Sequence, residues 1–78
     1  MSWLRRDQVE ALGLEYIGHN VRISDRASFY NCARIRIGDN VRIDAFCLFS
    51  AGSGGIVVGS HIHIAPYTSL IGAGRITL

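Results

Sequence analysis

Apolar residues recur along this chain at two nested intervals. Ile17, Ile37, Val58 and Leu78 stand 20, 21 and 20 residues apart, and Gly18, Gly38 and Gly59 follow the first three directly. Further columns run in the same order: Val21, Val41 and Ile62; Ile23, Ile43 and Ile64; the smaller Ala27, Cys47 and Thr68; then Phe29, Phe49 and Leu70. Ile35, Ile56 and Ile76 sit just before each new start. Inside each long repeat the spacing is six, as in Ile17, Ile23 and Phe29. That interval does not fit a 3.6-residue helix. It fits a short strand, a corner and another short strand, three such sides closing one coil. Coils then stack as parallel strands about 4.8 Å apart. Stacked columns bury a continuous apolar core that an isolated coil could not form. The middle repeat carries one extra residue, in SAGSGG at 50–55, where a repeat tolerates insertion.

The corners predict their own residues. Gly18, Gly38 and Gly59 are expected where the backbone must be permissive. Asn20 and Asn40 suit the same corner, because Asn accepts left-handed φ more readily than most residues. Ahead of the repeats, residues 2–12 predict a helix with Ser2 as N-cap. Leu4, Val9, Ala11 and Leu12 share one broad face. Gly13 fits the position after the C-cap, with Leu14 folding back on Val9. Trp3 lies off that face and is expected to pack on the first coil or on a neighbouring chain. The division is therefore 1–16, capping helix and linker, and 17–78, repeat solenoid.

The pattern I/V-G-x-x-V-x-I-x-x-x-A-x-F resembles the hexapeptide repeat of left-handed β-helix acyltransferases, over residues 17–78. The order helix, IGHNVRIS, IGDNVRID, IHIAPYTSLIGAG is most similar to sugar O-acetyltransferases related to the galactoside and maltose enzymes. The resemblance implies an all-β solenoid: a left-handed parallel β-helix of about three coils with an N-terminal capping α-helix. The left hand rests on the resemblance alone and opposes the usual right-handed crossover. The resemblance also implies acyl transfer from acetyl-CoA to a sugar hydroxyl, with a histidine as general base. It implies an active site between subunits of a homotrimer, with coenzyme A along the groove between neighbouring solenoids. Family members continue for several more coils, whereas this chain stops at RITL, so a truncated acyltransferase is expected. The alternative is a non-catalytic scaffold that self-associates, for instance as a dimer, through its open last coil.

Composition narrows the partners. Seventy-eight residues make one small domain, with a formal charge of +2. All eight basic residues are Arg, without the concentrated patch that nucleic acid demands. No apolar run approaches a membrane span, and MSWLRRDQVE lacks the apolar stretch of a signal peptide. A cytoplasmic protein with no nucleic-acid or membrane partner is expected. The two cysteines, Cys32 and Cys47, fall in different columns, which disfavours a disulfide. Cys47 is expected to be a buried thiol.

Candidate chemistry centres on few residues. His19 and His61 fall at corners and His63 on an outward strand position, so His61 and His63 are the catalytic candidates. No motif matches them to the base of the resembled family, and the plain alternative is solvated or interface histidines. His61 and His63 supply two metal ligands where zinc needs three or four, so no metal is expected. Arg22, Arg42 and His63 form one outward column. Arg22 and Arg42 are candidates to hold the phosphates of coenzyme A or of a sugar nucleotide. The alternative is a charge-laced outer face, offset by Asp25, Asp39 and Asp44. SAGSGG lacks the GK[ST] of a phosphate loop and is expected to be a flexible corner. No tightly bound cofactor is expected; acetyl-CoA enters as a cosubstrate.

Overall fold

The computed structural model describes residues 2–78. Ten short strands build three parallel sheets. Strands β1 (Tyr16–Ile17), β4 (Ile35–Ile37), β7 (Ile56–Val58) and β10 (Ile76–Thr77) form one side. Strands β2 (Val21–Ile23), β5 (Val41–Ile43) and β8 (Ile62–Ile64) form the second. Strands β3 (Ser28–Tyr30), β6 (Leu48–Ala51) and β9 (Ser69–Gly72) form the third. Each strand pairs in parallel with its counterpart in the neighbouring coil, so the chain is a parallel β-solenoid of about three turns.

The registers are the columns of the sequence. Val21, Val41 and Ile62 are direct partners, as are Ile23, Ile43 and Ile64, and Phe29, Phe49 and Leu70. Inward positions are buried and outward ones exposed within a single three-residue strand, as in β4 and β5. The middle coil is the best covered, because it has a neighbour on both sides. Ile37, Ile43 and Phe49 are wholly buried; of their first-coil partners Ile17 and Phe29 are only half-buried, while Ile23, edged by residues 2–4, is buried too. Phe29 and Phe49 pack as tilted rings, 4.9 Å between centroids. Cys47 is buried, and its thiol donates to the Ala65 carbonyl at 3.1 Å; neither cysteine is in a disulfide.

The leading segment departs from expectation. Helix α1 covers only Arg6–Ala11, and Ser2 does not cap it. The Arg5 N–H donates to the Gln8 side-chain oxygen at 2.9 Å instead. Residues 2–4 run extended along the open side of β2: Trp3 bridges Ser24 antiparallel, Leu4 N–H donates to Ile23, and Asp25 N–H donates to Ser2. A first-coil strand has unpaired backbone groups on its outer edge, and these residues satisfy them. Val9 then drops into the core, with Leu4, Leu12 and Leu14 packed against it. Gly13 does close the helix as expected, at φ +80, its N–H reaching the Glu10 carbonyl.

The glycine column also has a different cause from the one expected. Gly18, Gly38 and Gly59 do not adopt left-handed φ. They are small because successive coils touch there: a Cβ on Gly38 would stand 2.7 Å from the Gly59 carbonyl oxygen. The left-handed residues of this corner are Asn20, Asn40 and His61, at φ 55, 56 and 59. The Asn20 amide donates to the Asn40 side-chain oxygen at 2.9 Å, one rung of an amide ladder. SAGSGG is likewise an ordered corner, because Gly52 and Gly54 N–H groups donate to Gly72 and Ala73 of the next coil.

Candidate functional site

The outward positions of β2, β5 and β8 hold Arg22, Arg42 and His63 in direct register. Three basic side chains at coil spacing repel unless a negative group joins them. Asp44, the first residue after β5, is that group. It is not the surface residue expected, since its side chain is 3% exposed. One carboxylate oxygen accepts from Arg42 Nε at 2.7 Å and the other from His63 Nε2 at 2.7 Å. These hydrogen bonds, that from His63 foremost, hold the Asp44 carboxyl below the ordinary carboxylate value, against the opposing effect of burial.

The charge state fixes the histidine tautomer. An ionised carboxylate only accepts, so His63 Nε2 must carry hydrogen. A neutral His63 then has a bare Nδ1 lone pair, on a side chain 54% exposed. Asp44 thus orients a histidine whose other nitrogen can take a proton. His61 is not part of this group: it sits at the corner with left-handed φ, its backbone N–H on the Asp39 carbonyl.

Beside this cluster lies a cleft of about 160 Å³ lined by Asn20, Arg22, Asn40, Val41 and Arg42. Arg22 has no carboxylate partner among the described residues. Of the aspartates expected to offset the column, Asp39 instead accepts from the His19 N–H at 2.8 Å. Trp3 supplies the face beneath Arg42, whose guanidinium carbon lies 5.4 Å from its ring centroid. The arrangement suits an anion: two arginines in register on neighbouring strands, one of them without a carboxylate partner, flanked by side-chain amides. Among the described residues no group of three metal-ligating side chains is gathered, and no helix is long and apolar enough to cross a membrane.

Sequence reasoning found the column and named Asp44 among three aspartates that could offset it, but took it for a surface residue. The signal was present. Asp44 occupies the place that holds Ser24 in the first coil and Ala65 in the third, a position for small residues. A charged residue there must meet a partner when its coils stack.

Comparison with known proteins gives consistent matches. No family model matches the chain. All 78 residues align at 54% identity with the dTDP-4-amino-4,6-dideoxy-D-glucose acyltransferase of Escherichia coli, covering 41% of that protein. Among solved structures, the chain superposes on AntD, an N-acyltransferase from Bacillus cereus, in complex with dTDP and 3-hydroxybutyryl-CoA. That match has a TM-score of 0.84 at 42% identity, over 97% of this chain and 38% of AntD. An AntD variant bound to dTDP and coenzyme A gives 0.82 at 44% identity, over 91% and 37%. The chain therefore spans about two fifths of the length of the relatives it matches.

Proposed function

We propose, from the premise that this solenoid matches part of a hexapeptide-repeat sugar acyltransferase, that it forms the substrate-facing start of such an enzyme. The reaction is transfer of an acyl group from an acyl-CoA to a nucleotide-linked sugar. The observation that carries the proposal is the 54% identity over an alignment of all 78 residues, to a protein whose name specifies a dTDP-linked amino sugar. The acceptor in the proposal is accordingly the sugar amine, the sugar being common to this and to the hydroxyl acceptor of O-acetyltransferases.

The chemistry assigns roles to the cluster. The amine nitrogen attacks the thioester carbonyl; the C–N bond forms, the C–S bond breaks, and coenzyme A leaves as its thiol. The nitrogen must lose a proton; in this scheme His63 Nδ1, with Nε2 tied to Asp44, takes it and passes it to the departing thiolate. His61 lacks an orienting carboxylate and is the weaker choice. Both substrates carry phosphates, and the cleft with Arg22 and Arg42 offers them charge and amide donors. The proposal places the protein in the cytoplasm, with its acyl-CoA cosubstrate.

Self-association is the second reading. An apolar hollow of about 540 Å³, lined by residues that include Ile62, Ile64, Leu70 and Leu78, lies on the last coil. Another copy can cover it, or the chain can assemble as the trimer of its family. Light scattering separates these by mass.

The primary test incubates the chain with acetyl-CoA and dTDP-4-amino-4,6-dideoxyglucose, following free thiol and product mass. Amide product that falls at least tenfold with His63→Asn is expected. Absence of sugar-dependent product would overturn the assignment of catalysis to this chain.

A further inference from the structure

The one tryptophan of the chain stands far from Arg42 in sequence and against it in space. Trp3 pairs with Ser24 across the edge of β2. Ser24 in turn lies beside Asp44 of the middle coil, its N–H donating to the Ile43 carbonyl. Trp3, Ser24 and Asp44 therefore form one row across three neighbouring segments. Ser24 is small and wholly buried, so the indole spans that row and meets the Arg42 guanidinium, 5.4 Å from the ring centroid. The apolar packing at this end of the solenoid is done by other residues: Val9 lies in the core, with Leu4, Leu12 and Leu14 against it. Trp3 is half-buried and sits outside that cluster.

An arginine on an outward strand position samples many rotamers, and a ligand that orders it bears that entropy cost. Arg42 is already restrained twice. Asp44 Oδ1 accepts from its Nε at 2.7 Å, and Asp44 is itself fixed, being buried and bonded through its other oxygen to His63. A single hydrogen bond leaves the guanidinium free to swing about it. The Trp3 ring removes that freedom by covering one side of the group. Among the described residues Arg42 hydrogen-bonds through Nε alone, so both terminal nitrogens remain for a ligand, on a side chain that lines the cleft. Arg22, on the same cleft, has neither a carboxylate nor an aromatic partner among the described residues. One arginine of the cleft is held and the other is loose.

We propose that Trp3 is a positioning residue for Arg42: its indole and the Asp44 carboxylate together hold the guanidinium so that its two terminal nitrogens form a ready fork for a diphosphate. The fork geometry matches two phosphate oxygens. Trp3 touches no ligand in this scheme and acts through Arg42 alone, by removing disorder before the ligand arrives. A diphosphate is common to dTDP and coenzyme A, so either could supply it. This deepens the proposed function and rests on its reading that the ligands carry phosphates.

Two variants separate the aromatic face from plain apolar cover. Trp3→Phe keeps a face and Trp3→Leu keeps only bulk; circular dichroism checks that both fold. The first measurement needs no ligand. Solvent exchange of the Arg42 Nε–H, followed by NMR, should be at least about twofold faster in Trp3→Leu than in the parent, and near the parent rate in Trp3→Phe. A rate unmoved in Trp3→Leu, or raised equally in both variants, overturns the positioning role. The second measurement is calorimetric titration of the 78-residue chain with inorganic pyrophosphate, dTDP and coenzyme A. Trp3→Leu should weaken pyrophosphate binding about two- to fivefold, and Trp3→Phe by less. Whichever of dTDP and coenzyme A loses the same factor is the source of the diphosphate; either result supports the fork. Pyrophosphate binding that is equal in Trp3→Leu and parent overturns the proposal alone. No binding of any of the three to the parent overturns the phosphate reading beneath it as well.

Discussion

Replacing Gly38 by alanine should be among the most damaging single-methyl additions to this protein, for a reason unrelated to φ. The added Cβ would stand 2.7 Å from the Gly59 carbonyl oxygen and 2.9 Å from its carbonyl carbon, with Ser60 Oγ at 2.8 Å. The serine hydroxyl can rotate away; the backbone cannot. Carbon contacts ordinarily lie near 3.5 Å or beyond, so the coils must part by roughly half an ångström. They would part where the Gly38 N–H donates to the Val58 carbonyl at 2.9 Å. Stretching that bond past about 3.2 Å takes it out of its favourable range. Overpacking costs about 1–3 kcal/mol and a weakened hydrogen bond about 0.5–1.5, so about 1.5–4.5 kcal/mol is expected in all. For a domain of this size that lowers Tm by about 6–36 °C. Thermal melting by circular dichroism measures it, with two companions. Gly38→Asn discriminates the cause, since Asn would rescue a left-handed backbone but carries the same Cβ. Gly74→Ala is the control, because nothing lies within 4 Å of its Cβ position. Gly38→Ala and Gly38→Asn should fall together while Gly74→Ala stays within a few degrees. A Gly38→Asn protein melting with the parent would refute the clash.

Gly13 should show the reverse pattern. It lies at φ +80 with open space around it, so alanine should cost about 1 kcal/mol by melting and asparagine only a few tenths. Phe49→Ala empties the wholly buried centre of the middle coil and should lose about 3–5 kcal/mol in urea denaturation. Asp44 gives a pH dependence. Its carboxyl is held below its ordinary value of 3.8, so its stabilising contribution is present above that value and is lost as pH falls through the lower folded value. Urea midpoints of the parent should therefore fall from about pH 5 to pH 2, and Asp44→Asn should flatten that decline while being less stable at neutral pH.

The fold was legible because a stacked solenoid writes its core in register. Each inward residue meets its own counterpart, so Ile23, Ile43 and Ile64 could be paired by counting alone. What escaped depends on contacts that counting does not reach. A glycine column has the same sequence signature whether it relieves φ or clears a neighbouring backbone. Propensity favours a helix from residue 2, but the open edge of β2 draws residues 2–4 into extended pairing. The column of Arg22, Arg42 and His63 was visible. Asp44 stood among the three aspartates that could offset it, but its burial and its bond to a histidine 19 residues away could not be counted from the sequence. Phe46 and Tyr67 drew no reading from the columns, because their ring stack depends on φ values that counting does not reach.

The proposed function requires the Arg22–Arg42 face to receive phosphate groups. Calorimetric titration of coenzyme A and dTDP at low and high salt, in the parent chain and in Arg22→Ala, tests this. Saturable binding is predicted, weakening as salt rises and falling about tenfold without the unpaired guanidinium. Binding that ignores both salt and Arg22, or no saturable binding at millimolar ligand, would contradict the claim.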